Sequence, residues 1–193
     1  MKTYKLFFFG IICLLLANCT AQQKSLDIKN FSIKYAWLHT KDADSSNIYC
    51  LLGEGVAKTP YSSRTDSIIN NWIAKHQNAI VVANTTTTNF HKDGNNLIMT
   101  FCWVIQQNDT LNNYLVRNGC FPKEEMERNK TWEEIPDIKK REETKTDFPV
   151  SEYPLPKIEL LVDKKLDENF MLQIASAEKF ARNNKLGIWS DKK

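Results

Sequence analysis

The chain has 193 residues, of which 42% are hydrophobic and 25% are charged. A chain of this length and composition can bury one hydrophobic core, so we predict one domain with appendages. Lysine and arginine number 26 against 23 acidic residues, a net charge of +3. A charge so close to zero excludes the broad electrostatic footprint of proteins that bind nucleic acid or anionic membranes through charge alone.

The N-terminal stretch has the pattern of a secretory signal. Lys2 and Lys5 precede the apolar run LFFFGIICLLLA, which is too short to span a bilayer comfortably and is followed at once by polar residues. We therefore expect residues 1–18 to be removed. Removal takes away two positive charges and leaves a net charge of +1.

The end of that stretch, Leu15-Leu-Ala-Asn-Cys19, resembles a bacterial lipobox, although Asn18 stands where Gly, Ala or Ser is usual. In such signals the cysteine becomes the first mature residue and carries the lipid. The resemblance implies an exported lipoprotein that is attached to a bacterial membrane through Cys19 and faces the periplasm or the cell surface. Residues 19–29 would then comprise the lipidated cysteine and a polar tether. The alternative is a plain signal peptide with an incidental cysteine, which also predicts export.

Three cysteines remain beyond Cys19, namely Cys50, Cys102 and Cys120. Three is an odd number, so at least one is a free thiol or pairs between chains. An oxidising compartment permits one bridge, and Cys102 to Cys120 is the predicted pair. The alternative is that all three are small buried hydrophobic residues. Without CxxC spacing or nearby histidines they do not predict a zinc site.

The first strands follow the tether. FSIKYAWLH alternates, with Phe31, Ile33, Tyr35 and Trp37 on one face, and predicts a strand. The polar run TKDADSSN predicts a turn, and NIYCLL predicts a second strand. The sequence thus starts with two strands separated by a polar turn.

The stretch GEGVAKTPYSS, residues 53–63, is rich in Gly, Pro and Ser and predicts a loop. With the next residue it concentrates cationic and hydroxyl side chains beside two glycines, namely Lys58, Thr59, Tyr61, Ser62, Ser63 and Arg64. Such a loop is a candidate anion-binding site. The simpler interpretation is a polar loop that enters a helix through a Ser or Thr cap.

A first helix is predicted after this loop, with Ser63 or Thr65 as its N-cap. Its apolar face carries Ile68, Ile69, Trp72, Ile73 and His76. His76 is either a catalytic base or, more simply, a charge partner at the helix C-terminus.

Two further strands, AIVVAN and LIMTFCWVIQ, are predicted on either side of the turn TTTTNFHKDGNN. Thr110 then caps a short helix, LNNYLVRN, which Gly119 closes. The sequence therefore predicts a sheet followed by a short capped helix.

The last predicted helix covers residues 167–186, with Asp167 as N-cap and Gly187 as the left-handed residue at its end. Ile188 and Trp189 follow it. We expect both to fold back onto the domain, because each would forfeit about 1.5–3 kcal/mol if left in water.

Residues 121–157 are dense in both signs of charge and poor in apolar residues, which predicts a solvated excursion that is partly helical at best. Its end, FPVSEYPLPK, predicts an extended or polyproline II segment. The excursion is either a partner-binding arm or a surface wrap anchored by Phe121, Trp132 and Tyr153.

The order of these elements and two motifs resemble the staphylococcal nuclease (thermonuclease) family. LNNYLVRNG, residues 111–119, is similar to VNxxLVRxG, and AEKFARNNKLGIWS, residues 177–190, is similar to EAxAKxxKLxIWS. WIAKHQNAIVVAN also stands at the expected place. The resemblance implies an α+β fold: a five-stranded OB-fold β-barrel with three helices over residues 30–190, and a charged insertion, 121–157, before the C-terminal helix.

The matching motif residues are Arg117, Gly119 and Trp189. The family's enzymes are calcium-dependent phosphodiesterases that use a glutamate base, two arginines on the phosphate and aspartates near the metal. These roles suit a reaction that must deprotonate water, neutralise spreading negative charge and hold a hard cation. Arg117 belongs to the helix motif, so a structural role is the simpler interpretation.

At the positions that correspond to the family's catalytic residues, this sequence has residues of other types. The only plausible match to the family's DTPE loop is Lys58-Thr-Pro-Tyr61, which puts lysine at the metal aspartate and tyrosine at the general base. Counting back from Arg117, the second phosphate arginine falls on Met99, and the early strands offer no first one. Asp42 and Asp44 are candidates for metal-side carboxylates, although a DxD in a Ser-rich stretch is more typical of turn chemistry.

Three hypotheses about function follow. The first is a divergent nuclease-like lipoprotein that lacks the catalytic residues and binds a protein, glycan or nucleic acid ligand. The second is an active calcium-dependent nuclease with a rearranged site in the 53–64 loop, around Lys58, Tyr61 and Arg64 with a carboxylate such as Glu54 or Asp44. The third is a structural or assembly lipoprotein that acts through its charged insertion. No cofactor is expected, and calcium is required only by the second hypothesis.

Overall fold

The computed structural model describes residues 25–41, 47–52, 59–90, 96–134, 136 and 157–190. The predicted signal segment 1–18 and Cys19, Asp42, Asp44, Glu54, Lys58 and Tyr153 lie outside the described residues. Within the described part of the chain, no helix combines the length and the apolar character needed to cross a membrane.

The chain forms a mixed α+β fold in which three helices pack against a strongly curled half-barrel sheet. The described strands are β1 (Ser25–Asp27), β2 (Phe31–Lys34), β3 (Trp37–Thr40), β4 (Asn47–Leu51), β5 (Ile80–Phe90), β6 (Asn96–Gln106), β7 (Asp109–Thr110) and β8 (Lys157–Leu160). The helices are α1 (Ser63–Lys75), α2 (Leu111–Arg117) and α3 (Lys164–Asn183). Short 3-10 turns cover Ile28–Asn30, Lys123–Met126, Trp132–Glu134 and Gly187–Trp189.

The strand order of the sheet is β1-β5-β6-β4-β3-β2, with β7 paired to β6 and β8 paired to β5. Strands β4 and β6 are parallel, whereas the other pairs are antiparallel. The two ends of this order, β1 and β2, are separated in the chain only by the 3-10 turn Ile28–Asn30. Residues 25–29, which the sequence assigns to the tether, therefore belong to the fold.

The segment FSIKYAWLH was predicted as one strand but forms the hairpin of β2 and β3. Its turn lies at Tyr35, whose φ of 58° is left-handed. The side chain of Asp66 on α1 accepts a hydrogen bond of 2.8 Å from the Tyr35 N–H. This contact with a helix 31 residues away stabilises a turn that the local alternation does not indicate.

The segment TTTTNF was predicted as part of a turn but continues β5. Strand β5 pairs with β6 as far as Phe90, with a bulge between Ala83 and Thr85, and Thr85–Thr88 also pairs with β8. Threonine is β-branched and suits a strand once neighbours supply hydrogen bonds on both edges.

The termini of two helices differ from the prediction by a few residues. Ser62, rather than Ser63 or Thr65, caps α1, and its Oγ accepts from the Arg64 N–H. Asp163, rather than Asp167, caps α3. Asp167 instead lies in the first turn of α3, where it is buried.

The end of α3 also differs in which residue is left-handed. Lys185, with φ 51°, follows the C-cap Asn184 and ends the helix. Gly187 has φ 56° but begins the last 3-10 turn. The left-handed glycine predicted here is present, but its role is a close backbone contact described below.

Helix α2 confirms the prediction for its two ends. Thr110 accepts from the Asn113 N–H as N-cap, and Gly119, with φ 66°, closes the C-terminus. Asn112 is fully buried: its Oδ1 accepts from Val104 N and its Nδ2 donates to Cys102 O on β6. This amide fixes α2 against the edge of the neighbouring strand.

The predicted Cys102–Cys120 bridge is wrong: Cys50, Cys102 and Cys120 are free and buried. Burial raises the pKa of Cys50 to about 12 and that of Cys102 well above its usual value. The three side chains therefore act as small core residues rather than reactive thiolates.

We expect a reducing agent to leave the thermal unfolding temperature of the chain unchanged, because no described cysteine pair is bonded. Differential scanning calorimetry with and without dithiothreitol measures this directly. A clear fall in unfolding temperature under reduction would show that a bridge stabilises the fold.

The first part of the insertion is packed rather than solvated, which corrects the prediction for residues 121–134. Phe121 and Met126 are 1% exposed, and Glu125 is buried too. The 3-10 turn Lys123–Met126 packs against α3, and Glu134 in the next 3-10 turn pairs with Lys164 of α3. The anchoring role expected of Phe121 is confirmed, whereas the polyproline-like end lies outside the described residues.

Candidate functional site

Two tyrosines converge on Asp66 at the start of α1. The Tyr61 hydroxyl donates to Asp66 Oδ2 at 2.7 Å, and the other carboxylate oxygen accepts from the Tyr35 backbone. Tyr61, the candidate general-base position, is 59% exposed. The loop therefore enters the helix with its tyrosine held by a carboxylate of the first turn.

A second chain of hydrogen bonds crosses the same region. The Tyr35 hydroxyl donates to the Thr59 carbonyl, and Thr59 Oγ1 donates to Glu125 Oε1 at 2.6 Å. The Tyr35 ring packs edge-on against Phe121, with centroids 5.1 Å apart. Thr59 thus links the loop, the β2–β3 hairpin and the buried carboxylate of the insertion.

The protonation of these tyrosines argues against base catalysis. The hydrogen bond to Asp66 raises the pKa of Tyr61 above its usual value. Burial, helped by the charge of Glu125, raises the pKa of Tyr35 to about 12. Both hydroxyls are therefore protonated at neutral pH and act as hydrogen-bond donors.

Arg64 is exposed and lines a cavity of about 230 Å3 that lies between the N-terminus of α1 and the 3-10 turn Gly187–Trp189. Thr59, Ser62 and Thr65 line the same cavity, together with Cys120. Burial raises the pKa of the Cys120 thiol, although a Thr65 hydrogen bond and the Arg64 charge oppose that rise. The arrangement contains one cation and no activated nucleophile among its described residues.

The residues of the two family-like motifs contact one another. Arg117 stacks on the Phe180 ring at 3.7 Å, and Arg182 stacks on Trp189 at 3.6 Å. The Gly119 carbonyl accepts from Ile188 N at 2.9 Å. The Arg117–Phe180 and Ile188–Gly119 contacts join the end of α2 to the end of α3, whereas the Arg182–Trp189 contact lies within the C-terminal segment. Arg117 therefore has a structural partner.

The strands that would carry the phosphate arginines lack them. Met99 lies half-buried on β6 in register with Ile48 on β4. Neither β4 nor β6 contains an arginine. Among the residues that the structure describes, no group of three histidine, cysteine or acidic side chains could hold a metal ion.

His76 is the C-cap of α1 and lies between two oxygen acceptors. Its Nδ1 lies 2.8 Å from the Trp72 carbonyl and its Nε2 lies 3.3 Å from Asp109 Oδ2. The imidazole stacks on Trp72, with ring centroids 4.0 Å apart. The contact with the Trp72 carbonyl therefore places the imidazole at the C-terminal end of α1, where the sequence predicted it.

A buried ionic cluster lies where the insertion crosses α3, and sequence reasoning missed it. Arg128 Nε donates to Asp167 Oδ2 at 2.7 Å, and its two terminal nitrogens donate to Glu134 at 2.6 Å each. Asn84 on β5 donates to the other Asp167 oxygen at 3.0 Å. We call Arg128, Asp167, Glu134 and Asn84 the insertion clamp.

The insertion clamp is well shielded from solvent. The side chains of Arg128, Asp167 and Glu134 are 10%, 6% and 19% exposed. Hydrogen bonds from Arg128 lower the pKa of Glu134 to about 2. A cavity of about 410 Å3 opens beside the clamp. Of its lining residues, Arg128, Glu134, Asp167 and Lys164 are paired with one another.

A third concave region lies between β3 and β4. The described pairing of these strands covers only Trp37 with Cys50 and Leu38 with Tyr49. A groove of about 290 Å3 lies beside and beyond that short ladder. It is lined by Trp37, Leu38, His39, Thr40, Asn47, Ile48 and Tyr49. We call it the β3–β4 groove.

Comparison of the chain with protein-family models, curated proteins and solved structures found no match. The resemblance to the nuclease family therefore depends on the sequence motifs quoted above.

Proposed function

We propose that this chain is an exported lipoprotein whose OB-fold domain binds a ligand and does not hydrolyse phosphodiesters. Export and lipidation are supported by the N-terminal apolar run and the lipobox-like sequence ending at Cys19. The packed domain then begins at β1, close behind the lipid attachment point.

The OB-fold part of the proposal is supported by strand order. We propose that β1 and β2 act as one strand bent at the turn Ile28–Asn30, because they pair with β5 and β3 at the two ends of the sheet. With β3, β4, β5 and β6 this makes five main strands. A parallel β4–β6 pair and a helix between β4 and β5 also fit this barrel.

The observation that carries this part of the proposal is the hydrogen bonding of Thr59 and Tyr61, in the part of the loop that the structure describes. Tyr61 is bonded to Asp66, and Thr59 is bonded to Glu125. Hydrolysis needs a base near neutral pH and cations facing the phosphate, and each missing group typically costs orders of magnitude in rate. A tyrosine held protonated and two strands without arginine supply neither.

We expect the purified chain to leave single-stranded DNA intact with and without added calcium, measured by gel electrophoresis or release of acid-soluble nucleotides. An active staphylococcal nuclease under the same buffer conditions is the positive control. Calcium-dependent cleavage that a chelator abolishes would overturn the proposal. Tyr61→Phe and Arg64→Ala would then test whether the rearranged loop performs the reaction.

A further inference from the structure

Three large apolar side chains that remain exposed lie around strand β1, where the packed domain begins. In the part of the chain that the structure describes, seven large apolar side chains are more than a third exposed, and Ile80, Leu161 and Leu166 are among them. A single exposed apolar residue is ordinary, whereas several around one point mark a surface that contacts something apolar. We call β1 with these three residues the tether face.

Strand pairing places two of these residues beside β1. Ile80 and Val82 on β5 pair with the two ends of β1, and Val82 is the partner of Ser25. The Leu161 N–H donates to the Asn84 carbonyl at 2.7 Å, two residues further along β5. Both β1 and the segment after β8 lie on the edge of β5 that β6 does not occupy. The backbones of Ser25 and Leu161 are therefore within roughly 10 Å of each other, from strand rise and strand spacing.

The first turn of α3 lies over the same edge of the sheet. Asp167 accepts a hydrogen bond from Asn84 on β5, and Phe170 stacks on Trp103 of β6. The helix therefore runs from β5 toward β6, and its first turn lies at the β5 edge with which β1 pairs. Leu166 precedes Phe170 by four residues, so the two are neighbours on the helix surface. This spacing places Leu166 beside β1.

The register also places Ile80 on the side of the sheet that α3 covers. Val82 lies opposite Trp103, whose ring stacks on α3. Side chains two residues apart on a strand point to the same side of a sheet. Ile80 and Leu166 therefore lie on one side of the sheet, with Leu161 at its edge.

The proposed lipid attachment point is close to this surface. Only residues 20–24 separate Cys19 from Ser25. Six peptide units span at most about 22 Å, and the headgroup layer of a bilayer is itself roughly 5–8 Å thick, so β1 is within reach of that layer. A tether this short also gives the surface an effective concentration on the order of millimolar at the bilayer, so a contact that is weak by itself is populated.

Exposed lysines flank the apolar residues. Lys164 Nζ lies 3.6 Å from Glu134, and Lys29 Nζ lies 3.9 Å from Asp27, and both lysine side chains are well exposed. Ion pairs this exposed contribute little to stability, so either ammonium group can exchange its partner for a lipid phosphate. Apolar side chains flanked by lysines are typical of surfaces that lie in the membrane interface.

We infer that the tether face lies on the bilayer that carries the lipid anchor, with Leu161 and Leu166 inserted at the level of the headgroups. The inference rests on the proposed lipid attachment at Cys19 and adds the orientation of the domain. Helix α3 has 20 residues and is about 30 Å long. The 230 Å3 cavity beside Gly187, at the far end of α3, is therefore directed away from the bilayer and open to a ligand in solution.

The test reconstitutes the full lipidated chain in phosphatidylcholine vesicles with brominated acyl chains and measures quenching of a fluorescent label. The label is attached through Leu166→Cys in one variant and Leu172→Cys in another, because the native Cys50, Cys102 and Cys120 are buried and unreactive. We expect the label at position 166 to be quenched about threefold more than the label at position 172, since an interfacial side chain lies about 5–10 Å into the headgroup boundary.

Leu172→Cys is the matched control. Leu172 is an exposed leucine of the same helix. It is six residues after Leu166, which places it about 9 Å further along the helix and about 120° around its axis. Circular dichroism confirms that both labelled variants are folded, and substitution of two exposed side chains is expected to leave the unfolding temperature unchanged.

Equal quenching of the two labels would overturn the inference. A blue shift of the label at position 166 without quenching by bromine would indicate contact with a second copy of the chain, and would overturn it too. The mass of the purified chain is read separately. Absence of a lipid on Cys19 would overturn both the lipoprotein proposal and this inference, whereas equal quenching in a lipidated chain would overturn only the orientation.

Discussion

Gly187→Ala is expected to destabilise the fold by about 3–5 kcal/mol, among the largest effects of any single substitution in this chain. A Cβ there would overlap the Gly119 carbonyl oxygen and lie 2.9 Å from the Asn118 carbonyl oxygen. The residue is also left-handed, with φ 56°, which a side chain disfavours by about 1–2 kcal/mol. Urea unfolding followed by circular dichroism measures the loss.

Gly119→Ala is expected to have a similar cost, because its Cβ would overlap the Leu186 carbonyl and its φ is 66°. The two backbones touch at one contact, where Ile188 N donates to Gly119 O. The double variant is therefore expected to lose much less than twice the single effect. Full additivity would show that the two glycines act independently.

Lys185→Gly is the matched control for backbone conformation. Lys185 is also left-handed, with φ 51°, so glycine there is expected to stabilise the fold by about 1 kcal/mol. Loss of stability in this variant would contradict the strain expected of a left-handed lysine. A Gly187→Ala cost below about 1 kcal/mol would contradict the close contact between the two chain segments.

Arg128→Met is expected to destabilise the fold by about 3–5 kcal/mol, because it leaves the carboxylates of Asp167 and Glu134 shielded from solvent without their cation. Arg128→Lys is expected to recover only part of the loss, since an ammonium cannot form the forked contact with Glu134. Urea unfolding at pH 7 measures each variant.

The contribution of the insertion clamp to the free energy of unfolding is expected to decrease as the pH falls. The folded pKa of Glu134, about 2, lies below the ordinary 4.5, so its stabilisation is present above pH 4.5 and is lost as pH falls toward 2. The deficit of Arg128→Met is therefore expected to be greatest above pH 5 and to shrink on acidification, because protonation neutralises the Glu134 carboxylate.

Lys123→Met is the control for a surface ion pair. Lys123 and Glu127 form an i,i+4 contact of 2.9 Å with about a third of each side chain exposed, so the variant is expected to lose at most about 0.5 kcal/mol. If Arg128→Met lost no more than this control, the insertion would not be held by a buried clamp.

The local pattern predicted the elements that carry their own signals. Thr110 and Gly119 delimit α2 because a hydroxyl cap and a left-handed glycine act within a few residues. The apolar stripe of α3 and the burial of Ile69 and Trp72 on α1 followed from helical periodicity. For the candidate site, the sequence identified Tyr61 and Arg64 and showed that no arginine stood on the strand of Met99.

The remaining features depend on residues far apart in the chain. Tyr35 turns because Asp66 accepts its N–H, and Thr85–Thr88 is a strand because β6 and β8 pair with it. Arg128 and Asp167, 39 residues apart, have no shared local pattern, so a charge-rich insertion was indistinguishable from a solvated one. The β3–β4 groove likewise forms where strands β3 and β4 separate beyond their short ladder, which no local pattern indicates.

The sequence by itself determined which segments could become helices and strands, because caps, alternation and helical stripes act between near neighbours. Tertiary structure decided where the turns fall, which charges are buried and which cavities form, because those depend on partners brought together by packing. The identity of Gly119 and Gly187 illustrates both: each residue is left-handed locally, but only their mutual contact excludes a side chain.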